Sequence, residues 1–590
     1  MYFDVLEVLT VMGTINHKSA QNPGILPEFL IGVTGHRDIA AESVGLVRDA
    51  LRAQLSKISE ATSNAPLRLV SGLAEGADTL ATEVALELGI AVTAVLPMPR
   101  DDYQKDFSGA ALETLDTLLA DPRIQVAEIP LIAPTEGAGA DQINRDNQYS
   151  LLADYLVRRS NILLAIWDGE QTRLKGGTSD VVLRYLADGR QNTPNFISLE
   201  NHDAEGCGNV VSWVPARRSS SQDSPEQTEH RYLISNQNYD CYWTSQDIPK
   251  AVQTRWKGFG DFCQEKSSDI GASLPAYGLG QTTDVAASPE LATLDEQFIR
   301  IDQIARSYQS LSHVMFALFG LLAAAMGLAF LIYAKLLADK FLLFIYVGLF
   351  IAGFLGFRYS HRLHLHSKHL AYRVLAETLR VQYFLILSGA GADYSLRRLL
   401  NLTSVDQFRR FEWLQEAFRI AEPISYMGHS KPEDALEQVN KGWVKDQLYY
   451  FEKKRHLLHR QHHRLEVIKI ALLVGSVLGA LTLIFFKKSL IHLDMMGYDG
   501  KAWLVFFMGL LPLWVAVWEL YQGKMATREL LWQYANQTRY FRAASQEIQQ
   551  APDLESGQKI VRDLADKALI EIFIWSVHRF HREHEPPAAG

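Results

Sequence analysis

The second half of the chain contains four apolar stretches that are long enough to form membrane-spanning helices. They cover roughly residues 314–334, 341–357, 467–486 and 503–519, and none has a charged side chain near its centre. A helix needs about 20 apolar residues to cross a hydrocarbon core of about 30 Å, and a charge at the centre of a span costs about 2.5 kcal/mol or more. Buried helices of soluble proteins rarely show four such runs. The pattern therefore predicts four transmembrane helices, with the lipid bilayer as a partner.

The basic residues around these stretches predict the orientation of the spans. The connections at 335–340 and 487–502 contain two and three lysines, respectively. Basic side chains are more frequent after the second span and before the third: Arg358, Arg362, Lys368, Arg373, Lys453, Lys454, Arg455, Arg460 and Arg464. The positive-inside rule therefore places both termini and residues 358–466 in the cytoplasm. The N-terminal segment MYFDVLEVLTVMG has no basic region and no long apolar core, so it does not read as a secretory signal.

The membrane region looks internally duplicated. Residues 298–327 align without a gap on residues 451–480, and each segment passes from a polar helix into a span. Another long helix follows each hairpin, where Ala376–Arg380 matches Ala535–Arg539. The predicted unit is helix, two spans, helix. It occupies 291–390 and again 441–550, with a cytoplasmic connector at 391–440 and a C-terminal helix and tail at 551–590.

Side chains in and beside the spans restrict what the membrane region can do. Without ionisable residues at mid-span, the sequence disfavours a proton relay or a transporter with a charged midplane site. It is compatible with a pore lined by apolar and small residues. The pairs Ala352/Gly356 and Gly475/Gly479 indicate either helix contacts or chance glycines. Histidines near the spans have mixed helical spacing and no accompanying carboxylate cluster, which favours solvated or headgroup-facing surfaces over a metal site or pH sensor; they are His361, His364, His366, His369, His456, His459, His462 and His463.

Before residue 215 the pattern changes to short apolar runs that alternate with amphipathic helices. This alternation predicts an α/β domain of Rossmann-like type at 27–215, with a parallel sheet flanked by helices. The predicted strands are Glu28–Val33, Leu67–Val70, Ala91–Leu96, Ile124–Ala127, Asn161–Ile166 and Asn209–Trp213. The predicted helices are Ala40–Ser59, Ala77–Leu88, Ala110–Leu119, Asn144–Arg159 and Ser179–Ala187. Residues 1–26 are an extension, and 216–290 are a partly ordered connector in which Trp243 and Trp256 imply some packed structure.

Three predicted strands end in loops that have the composition of a phosphate or ribose site. The loops are GVTGHRD after the first strand, SGLAEGAD at 71–78 and WDGEQTRLKGGTSDVV after the fifth strand. Glycines let the backbone approach a ligand, helix N-termini present free N–H groups to an anion, and arginine supplies a bidentate donor. Any one loop is also explained as an ordinary turn, with Asp78 or Ser179 as a helix cap. Three such loops in strand-to-helix register predict one shared ligand site.

Composition and charge exclude several other classes of function. The formal net charge of -9 gives no electrostatic footprint for duplex nucleic acid, so we expect no direct nucleic-acid binding. The three cysteines, Cys207, Cys241 and Cys263, match no zinc pattern and are expected to be reduced thiols in a cytosolic domain. The sequence predicts no metal site.

The loops GVTGHRD, SGLAEGAD and GGTSDVV resemble the signature loops of the SLOG superfamily, which includes the DNA-processing protein DprA and the Lonely Guy phosphoribohydrolases. The resemblance covers about residues 27–215. It implies that a nucleotide or nucleotide-derived ligand is bound. Together with the loop chemistry it gives thirteen candidate ligand-binding residues: Thr34, Gly35, His36, Arg37, Ser71, Gly72, Glu75, Gly76, Asp78, Asp168, Gly176, Gly177 and Thr178.

The membrane region resembles the SLATT group, whose two-span effector modules accompany nucleotide sensors in bacterial defence systems. The two hairpins with long flanking helices carry this resemblance, together with WVKDQLYYFEKK at 443–454. It implies a multi-pass protein of the bacterial inner membrane that forms a homo-oligomer. A nucleotide sensor coupled to a pore-forming or membrane-perturbing effector is the preferred interpretation.

Two alternatives stay open on the sequence: a membrane-tethered nucleotide N-glycosidase and a scaffold that binds no nucleotide. The Lonely Guy enzymes use a glutamate three residues after the threonine of their glycine motif. Here Thr178 is followed at that distance by Val181, and neither Asp180 nor Glu75 has the required spacing. A general acid must reach the leaving atom, so no catalytic residue is predicted and enzyme activity is disfavoured.

Overall fold

A computed structural model of the chain describes residues 27–131, 140–172, 175–189, 194–196, 207–220, 229–236, 238–265, 277–282, 289–391, 412–420, 432–495 and 497–580. The predicted N-terminal extension, residues 1–26, lies outside these described residues.

The N-terminal half folds into a mixed α/β sheet domain. Its strands are β1 (Phe29–Gly35), β2 (Leu67–Ser71), β3 (Ala91–Leu96), β4 (Ile124–Glu128), β5 (Ile162–Trp167), β6 (Asn195–Phe196), β7 (Cys207–Pro215), β8 (Arg231–Asn236) and β9 (Cys241–Ser245). Its helices are α1 (Ala41–Ala61), α2 (Ala77–Glu87), α3 (Arg100–Tyr103), α4 (Ala110–Leu119), α5 (Ala140–Arg159), α6 (Thr178–Leu186) and α7 (Lys250–Gln264). Alternate side chains of the strands enter two separate apolar clusters. One cluster includes α1, α2 and α7, and the other includes α5 and α6, so both faces of the sheet are covered.

The order of the strands creates a crevice at one edge of the sheet. The nine strands lie in the order β4-β3-β2-β1-β5-β7-β8-β9-β6. The chain runs outward from β1 to β4 and then returns to place β5 on the other side of β1, with parallel pairing on both sides. Helices that follow β1 and β5 therefore diverge, and the carboxyl ends of these two strands form the topological switch point at which such sheets bind ligands.

The sheet continues beyond residue 215, where the sequence predicted a partly ordered connector. β8 pairs antiparallel with β7, and β9 pairs antiparallel with β8. Antiparallel neighbours need only a short connection, so no crossover helix is required to join these strands and to indicate them in the sequence. The prediction of a parallel sheet thus holds for the predicted strands β1–β5 and β7, while the added strands β8 and β9 make the sheet mixed; β6 pairs parallel with β9 at its edge. α7 then packs Trp256 and Phe259 edge-on against Phe29 at the start of β1.

The C-terminal half is helical and contains four helices that are long and apolar enough to cross a membrane. Its helices are α8 (Pro289–Lys335), α9 (Lys340–Arg362), α10 (Leu365–Leu387), α11 (Trp413–Ile420), α12 (Pro432–Val439), α13 (Asp446–Ile491), α14 (Gly500–Met525), α15 (Thr527–Gln550) and α16 (Leu554–Phe580). A π-helical turn at Asn440–Lys445 leads into α13, and a two-stranded hairpin of β10 (Asp494–Met495) and β11 (Tyr498–Asp499) precedes α14. Each of the four predicted spans lies within one of the helices α8, α9, α13 and α14.

The two predicted repeat units correspond in three local features. Helices α8, α9 and α10 have 47, 23 and 23 residues, and α13, α14 and α15 have 46, 26 and 24. The side chains of Asp339 and Asp499 cap the N-termini of α9 and α14, respectively. A left-handed residue separates the second helix from the third in both units: His364 with φ of 49° and Ala526 with φ of 54°. These shared caps and breaks are what a duplicated helical unit would retain.

The sheet domain is fastened to the helices at the edge opposite the switch point. Glu416 of α11 is buried against the start of β5, where its carboxylate accepts a hydrogen bond from Asn161 Nδ2 at 2.8 Å. The same carboxylate lies 2.7 Å from Arg255 Nε of α7 and accepts a hydrogen bond from Trp256 Nε1 at 3.2 Å. Arg419 NH1 donates to the carbonyl of Ser160 just before β5. A buried polar cluster therefore joins α11 to the base of the sheet.

The end of α7 forms a second connection, from the sheet domain to α8 and α10. Arg300 of α8 donates hydrogen bonds to the carbonyls of Phe262, Cys263 and Glu265 at 3.0, 3.1 and 2.8 Å. The Glu265 carboxylate in turn accepts a hydrogen bond from Lys368 of α10 at 2.8 Å, and others from Tyr308 and Tyr372. Since arginine here satisfies carbonyls left open at a helix C-terminus, α7 and α8 are held in fixed register.

Two of the membrane-proximal histidines are not on solvated surfaces as predicted. His366 and His369 are 5% and 2% exposed, whereas His361 and His364 are exposed. His366 is 2.8 Å from the carbonyl of Arg579, and the His369 ring packs edge-on against Trp575. The prediction was wrong for these two because α16 covers the face of α10 that carries them. Burial lowers the pKa of His369 well below its ordinary value.

Candidate functional site

The first and third predicted loops meet across the switch point. Thr34 and Gly35 end β1 and pair with Ala165 and Ile166 of β5. Immediately beyond, His36 Nε2 lies 3.0 Å from the carboxylate of Asp168, the residue that follows β5. A side chain at position 35 would collide with Ala77 and with the Ile166 carbonyl, so glycine is needed for α2 to approach the strand ends. His36 and Asp168 thus bridge the two strands at the mouth of the crevice.

Arg37 points to a polar cluster that sequence reasoning did not assign to the site. Its guanidinium donates a hydrogen bond at 3.1 Å to the hydroxyl of Tyr149 on α5 and lies over the ring of the same residue. The Tyr149 hydroxyl donates to Asp106 at 2.5 Å, and Asp106 pairs with Arg145 at 2.5 Å. Burial, reinforced by the hydrogen bond to Asp106, raises the pKa of Tyr149 to about 12. The hydroxyl therefore keeps its proton, and two cations stand beside the loops.

The second loop supplies a buried carboxyl group beneath Arg37. Ser71 ends β2, and its hydroxyl accepts a hydrogen bond from Leu73 N at 3.1 Å. Asp78, in the first turn of α2, accepts one from Gly72 N at 3.1 Å. Burial raises the pKa of Asp78 to about 6, although the nearby Arg37 charge and the backbone donors oppose this shift. Asp78 therefore braces the loop from inside and is not exposed to bind ribose.

The remaining residues of the second loop divide into a turn residue and an exposed acid. Gly76 has φ of +86°, and a side chain there would collide with the Arg37 carbonyl. Glycine at this position thus lets the second loop lie directly against the first. Ala77 N donates to the His36 carbonyl at 3.0 Å, which joins the same two loops. Glu75 is exposed and available to solvent or a ligand.

The third loop is folded over α5 and opens α6 toward the same crevice. Gly176 has φ of +75° and lies against the backbone of Tyr149, so the glycine loop contacts the residue that holds Arg37. Asp180 accepts a hydrogen bond from Gly176 N at 2.8 Å. Gly177 is the N-cap of α6 and makes no side-chain capping bond, and Thr178 is the first helical residue. A helix N-terminus favours an anion, and here the Asp180 carboxylate of the first turn already accepts one of the N–H groups of this loop.

Val181, the residue at which the resemblance would place a catalytic glutamate, faces the interior of the domain. Val181 is 3% exposed and belongs to the apolar cluster on the α5 and α6 face of the sheet. Asp180 is engaged with the Gly176 backbone and lies 3.6 Å from Arg184. Within the described residues, no group of three or more His, Cys, Asp or Glu side chains could hold a metal ion. The crevice thus presents the Arg37 guanidinium and the Tyr149 hydroxyl, with the Asp168 carboxylate at its mouth.

No protein-family model, no curated protein and no solved structure matches this chain.

Proposed function

We propose that the chain is a receptor for a nucleotide-like anion that controls a multi-pass membrane effector. The observation that carries this proposal is the meeting of three strand-end loops at the switch point, around Arg37. Two of them contact each other through Gly76 and the third contacts Tyr149, so an anion in the crevice would touch all three. The thirteen candidate residues would then divide into ligand contacts such as Arg37 and Thr178, and supports such as Asp78.

The route from the crevice to the membrane supports coupling between the two. The crevice lies at the carboxyl ends of the strands, while Glu416 and Asn161 fasten the opposite ends of the same strands to the helical half. A ligand that binds two arrangements of the sheet with unequal affinity would shift the equilibrium between them, and the attached helices would move with the sheet. The effector would act by forming a pore or perturbing the bilayer, in bacterial defence or stress signalling at the inner membrane.

The arrangement of the helical half favours one orientation in that membrane. The sheet domain packs on the N-terminal part of α8, and α10, α15 and α16 form a bundle at the same end of the spans. The connections between α8 and α9 and between α13 and α14 are at the other ends. This arrangement fits the basic-residue pattern, so both termini and the sheet domain would be cytoplasmic.

The test is a titration of the full chain in detergent with nucleotides and nucleotide sugars, followed by calorimetry. A hydrogen bond to a charged group contributes about 1.5–3 kcal/mol, so Arg37→Ala should weaken binding about 10- to 150-fold. Arg123→Ala is the matched control, because Arg123 is an exposed arginine that pairs with Asp121 away from the loops. Equal affinity of the Arg37→Ala variant and the wild type would remove the assignment of Arg37.

Two further measurements separate the alternative functions. If bound nucleotide is hydrolysed at its N-glycosidic bond, the chain is an enzyme, and the valine at position 181 does not prevent catalysis. If no nucleotide binds at any concentration up to the millimolar range, the scaffold interpretation replaces the receptor. Liposomes that contain the full chain should release an entrapped dye only when ligand is added. Release that is independent of ligand would contradict the coupling.

A further inference from the structure

The four membrane helices form a row with α9 and α13 at its two ends. α9 packs on α8, α8 packs on α14, and α14 packs on α13. The central contact is close because Gly327 of α8 and Gly509 of α14 each face the other helix without a side chain. At the ends of the row, Ile351 of α9 and Ile484 of α13 are 52% and 71% exposed. Lipid therefore borders α9 and α13 in a single copy of the chain.

The end of α9 that is predicted to be cytoplasmic carries two exposed arginines, one helical turn apart. The predicted second span ends at residue 357, so Arg358 lies at the edge of the hydrocarbon core and Arg362 lies about 6 Å beyond it. Residues 340–376 contain no Asp or Glu, so no acidic side chain on a neighbouring turn can pair with either arginine. Tyr359, which is 63% exposed, lies at the same level, where interfacial aromatic residues are common.

α13 carries the same arrangement at the other end of the row. Arg460 and Arg464 are exposed, and they lie about 11 and 5 Å before the predicted third span, which begins at residue 467. Residues 453–465 contain no Asp or Glu, and the next acid, Glu466, is 3.7 Å from Lys469. Like charges four residues apart destabilise a helix. Each arginine pair would therefore gain from an anion that its own helix does not supply.

The rest of the chain does not supply that anion either. Among the described residues, none of these four guanidinium groups has a hydrogen-bond or ion-pair partner. The arginines that precede the first span, on α8 in the middle of the row, are different. Arg300 donates to carbonyls at the end of α7, and Arg306 lies 3.7 Å from Asp302. The contrast places unpaired arginines on the two helices that border lipid.

We propose that each of these two arginine pairs binds the phosphate group of an anionic phospholipid. A guanidinium group can donate two parallel hydrogen bonds to phosphate oxygens, and its charge complements the net negative charge of such a headgroup. The headgroup layer is about 5–8 Å thick on each side of the hydrocarbon core. Arg358, Arg362 and Arg464 lie within that layer, and Arg460 lies just outside it. Anionic lipid is thus a ligand of the two outer spans.

An anionic lipid fits these positions better than a second copy of the chain or a soluble polyanion. Both ends of the row are positive, so direct contact between the ends of two copies would bring four guanidinium groups together. A soluble polyanion such as a nucleic acid would be attracted equally to Lys453 and Lys454, which are exposed on the same helix about 20 Å from the span. The bilayer, by contrast, is already beside the arginines and meets each end of the row separately.

Native mass spectrometry of the full chain tests this proposal without nucleotide, so its outcome is independent of the receptor proposal. The chain is purified in detergent that contains equal amounts of phosphatidylglycerol and phosphatidylcholine, and the retained lipids are counted. An arginine beside an anionic headgroup contributes about fivefold in affinity, so each pair should prefer phosphatidylglycerol about 20- to 30-fold. Arg358→Gln with Arg362→Gln should lose one bound phosphatidylglycerol, and Arg460→Gln with Arg464→Gln should lose the other.

The matched control is Lys453→Gln with Lys454→Gln, which removes two exposed charges from α13 outside the headgroup layer and should leave the lipid ratio unchanged. An equal loss in this control would indicate a surface for soluble polyanions and overturn the proposal. A preference that survives the loss of all four arginines would also overturn it, because it would arise from other basic residues such as Lys487 and Lys488. If a variant is not recovered from the membrane, the wild type decides: equal retention of the two lipids overturns the proposal.

Discussion

Replacing Glu416 by glutamine tests whether the sheet domain and the membrane helices behave as one body. Glu416 is 2% exposed and compensates the charge of Arg255, which is 6% exposed. It also accepts hydrogen bonds from Asn161 and Trp256. Glu416→Gln keeps the volume and one acceptor oxygen but removes the negative charge. Arg255 then loses the carboxylate that lies 2.7 Å from its Nε.

The expected cost follows from the loss of that ion pair. Breaking a buried ion pair by removing one partner costs about 3–5 kcal/mol. Arg255 also donates to the carbonyls of Cys207 and Gly208 at 2.8 and 3.0 Å, and these contacts survive the substitution. We therefore expect Glu416→Gln to lower the free energy of unfolding by about 3 kcal/mol, the lower end of that range. This is a large part of the roughly 5–15 kcal/mol that stabilises a typical domain.

The assay is urea unfolding of the full chain in detergent, followed by tryptophan fluorescence, because Trp256 donates to the substituted side chain. Glu416→Gln should lower the unfolding midpoint of the sheet domain and reduce ligand-induced dye release from liposomes. Asp247→Asn is the control, since Asp247 is 81% exposed in its pair with Lys57 and should leave both readouts unchanged. An unchanged midpoint together with full dye release in Glu416→Gln would refute the reasoning.

Two further predictions concern titration and reactivity in the sheet domain. Because burial raises the pKa of Asp78 from 3.8 to about 6, the folded chain binds more protons than the unfolded chain between these values, and stability falls as pH rises through this window. At pH 7.5 the Asp78→Asn variant should therefore be more stable than the wild type, by about 3 kcal/mol at most. At pH 3.5 this gain should be absent. An equal difference in unfolding free energy at both pH values would contradict the prediction. Burial also raises the pKa of the Cys263 thiol to about 12, so iodoacetamide should modify Cys241 in the native chain and reach Cys263 only after unfolding, as measured by peptide mass spectrometry.

The local pattern was sufficient to predict most of the parallel sheet. The six predicted strands form within two residues at each end, because their apolar runs are bounded by turns and separated by amphipathic helices. β8 and β9 were missed although Tyr232, Ile234, Tyr242 and Trp243 are buried. They are short, and the antiparallel turn between them lacks the helix that indicates a crossover. Of the two tryptophans that indicated packed structure in the connector, Trp243 lies in β9 and Trp256 in α7.

The contacts that hold the site and the two halves together could not be read from sequence. Arg37 meets Tyr149 across 112 residues, and Glu416 meets Asn161 across 255 residues. Such pairs depend on which strand lies beside which, and residue spacing carries no information about that order. The three loops were predictable because each has its own glycine signature. Tyr149 and Arg145, by contrast, looked like ordinary positions on an amphipathic helix.

In the membrane region, too, some helix contacts could be predicted from the sequence and others could not. Gly356, Gly475 and Gly479 lie at helix contacts, as the spacing of small residues suggested, whereas Ala352 is exposed. The closest approach uses Gly327 and Gly509, which come from different repeat units. A four-residue spacing within one helix cannot identify a glycine that faces a span from the other unit.

The uninterrupted length of α8 determines how movement at the sheet would be felt in the bilayer. Its 47 residues make a rod of about 70 Å, with Arg300 clamped to α7 near one end and the hairpin connection at the other. The far tip lies about 50 Å from the Arg300 clamp, so a tilt of about 3° at the clamp would carry it about 3 Å sideways. A displacement too small to rearrange the crevice visibly could therefore open a gap of molecular size on the opposite side of the membrane.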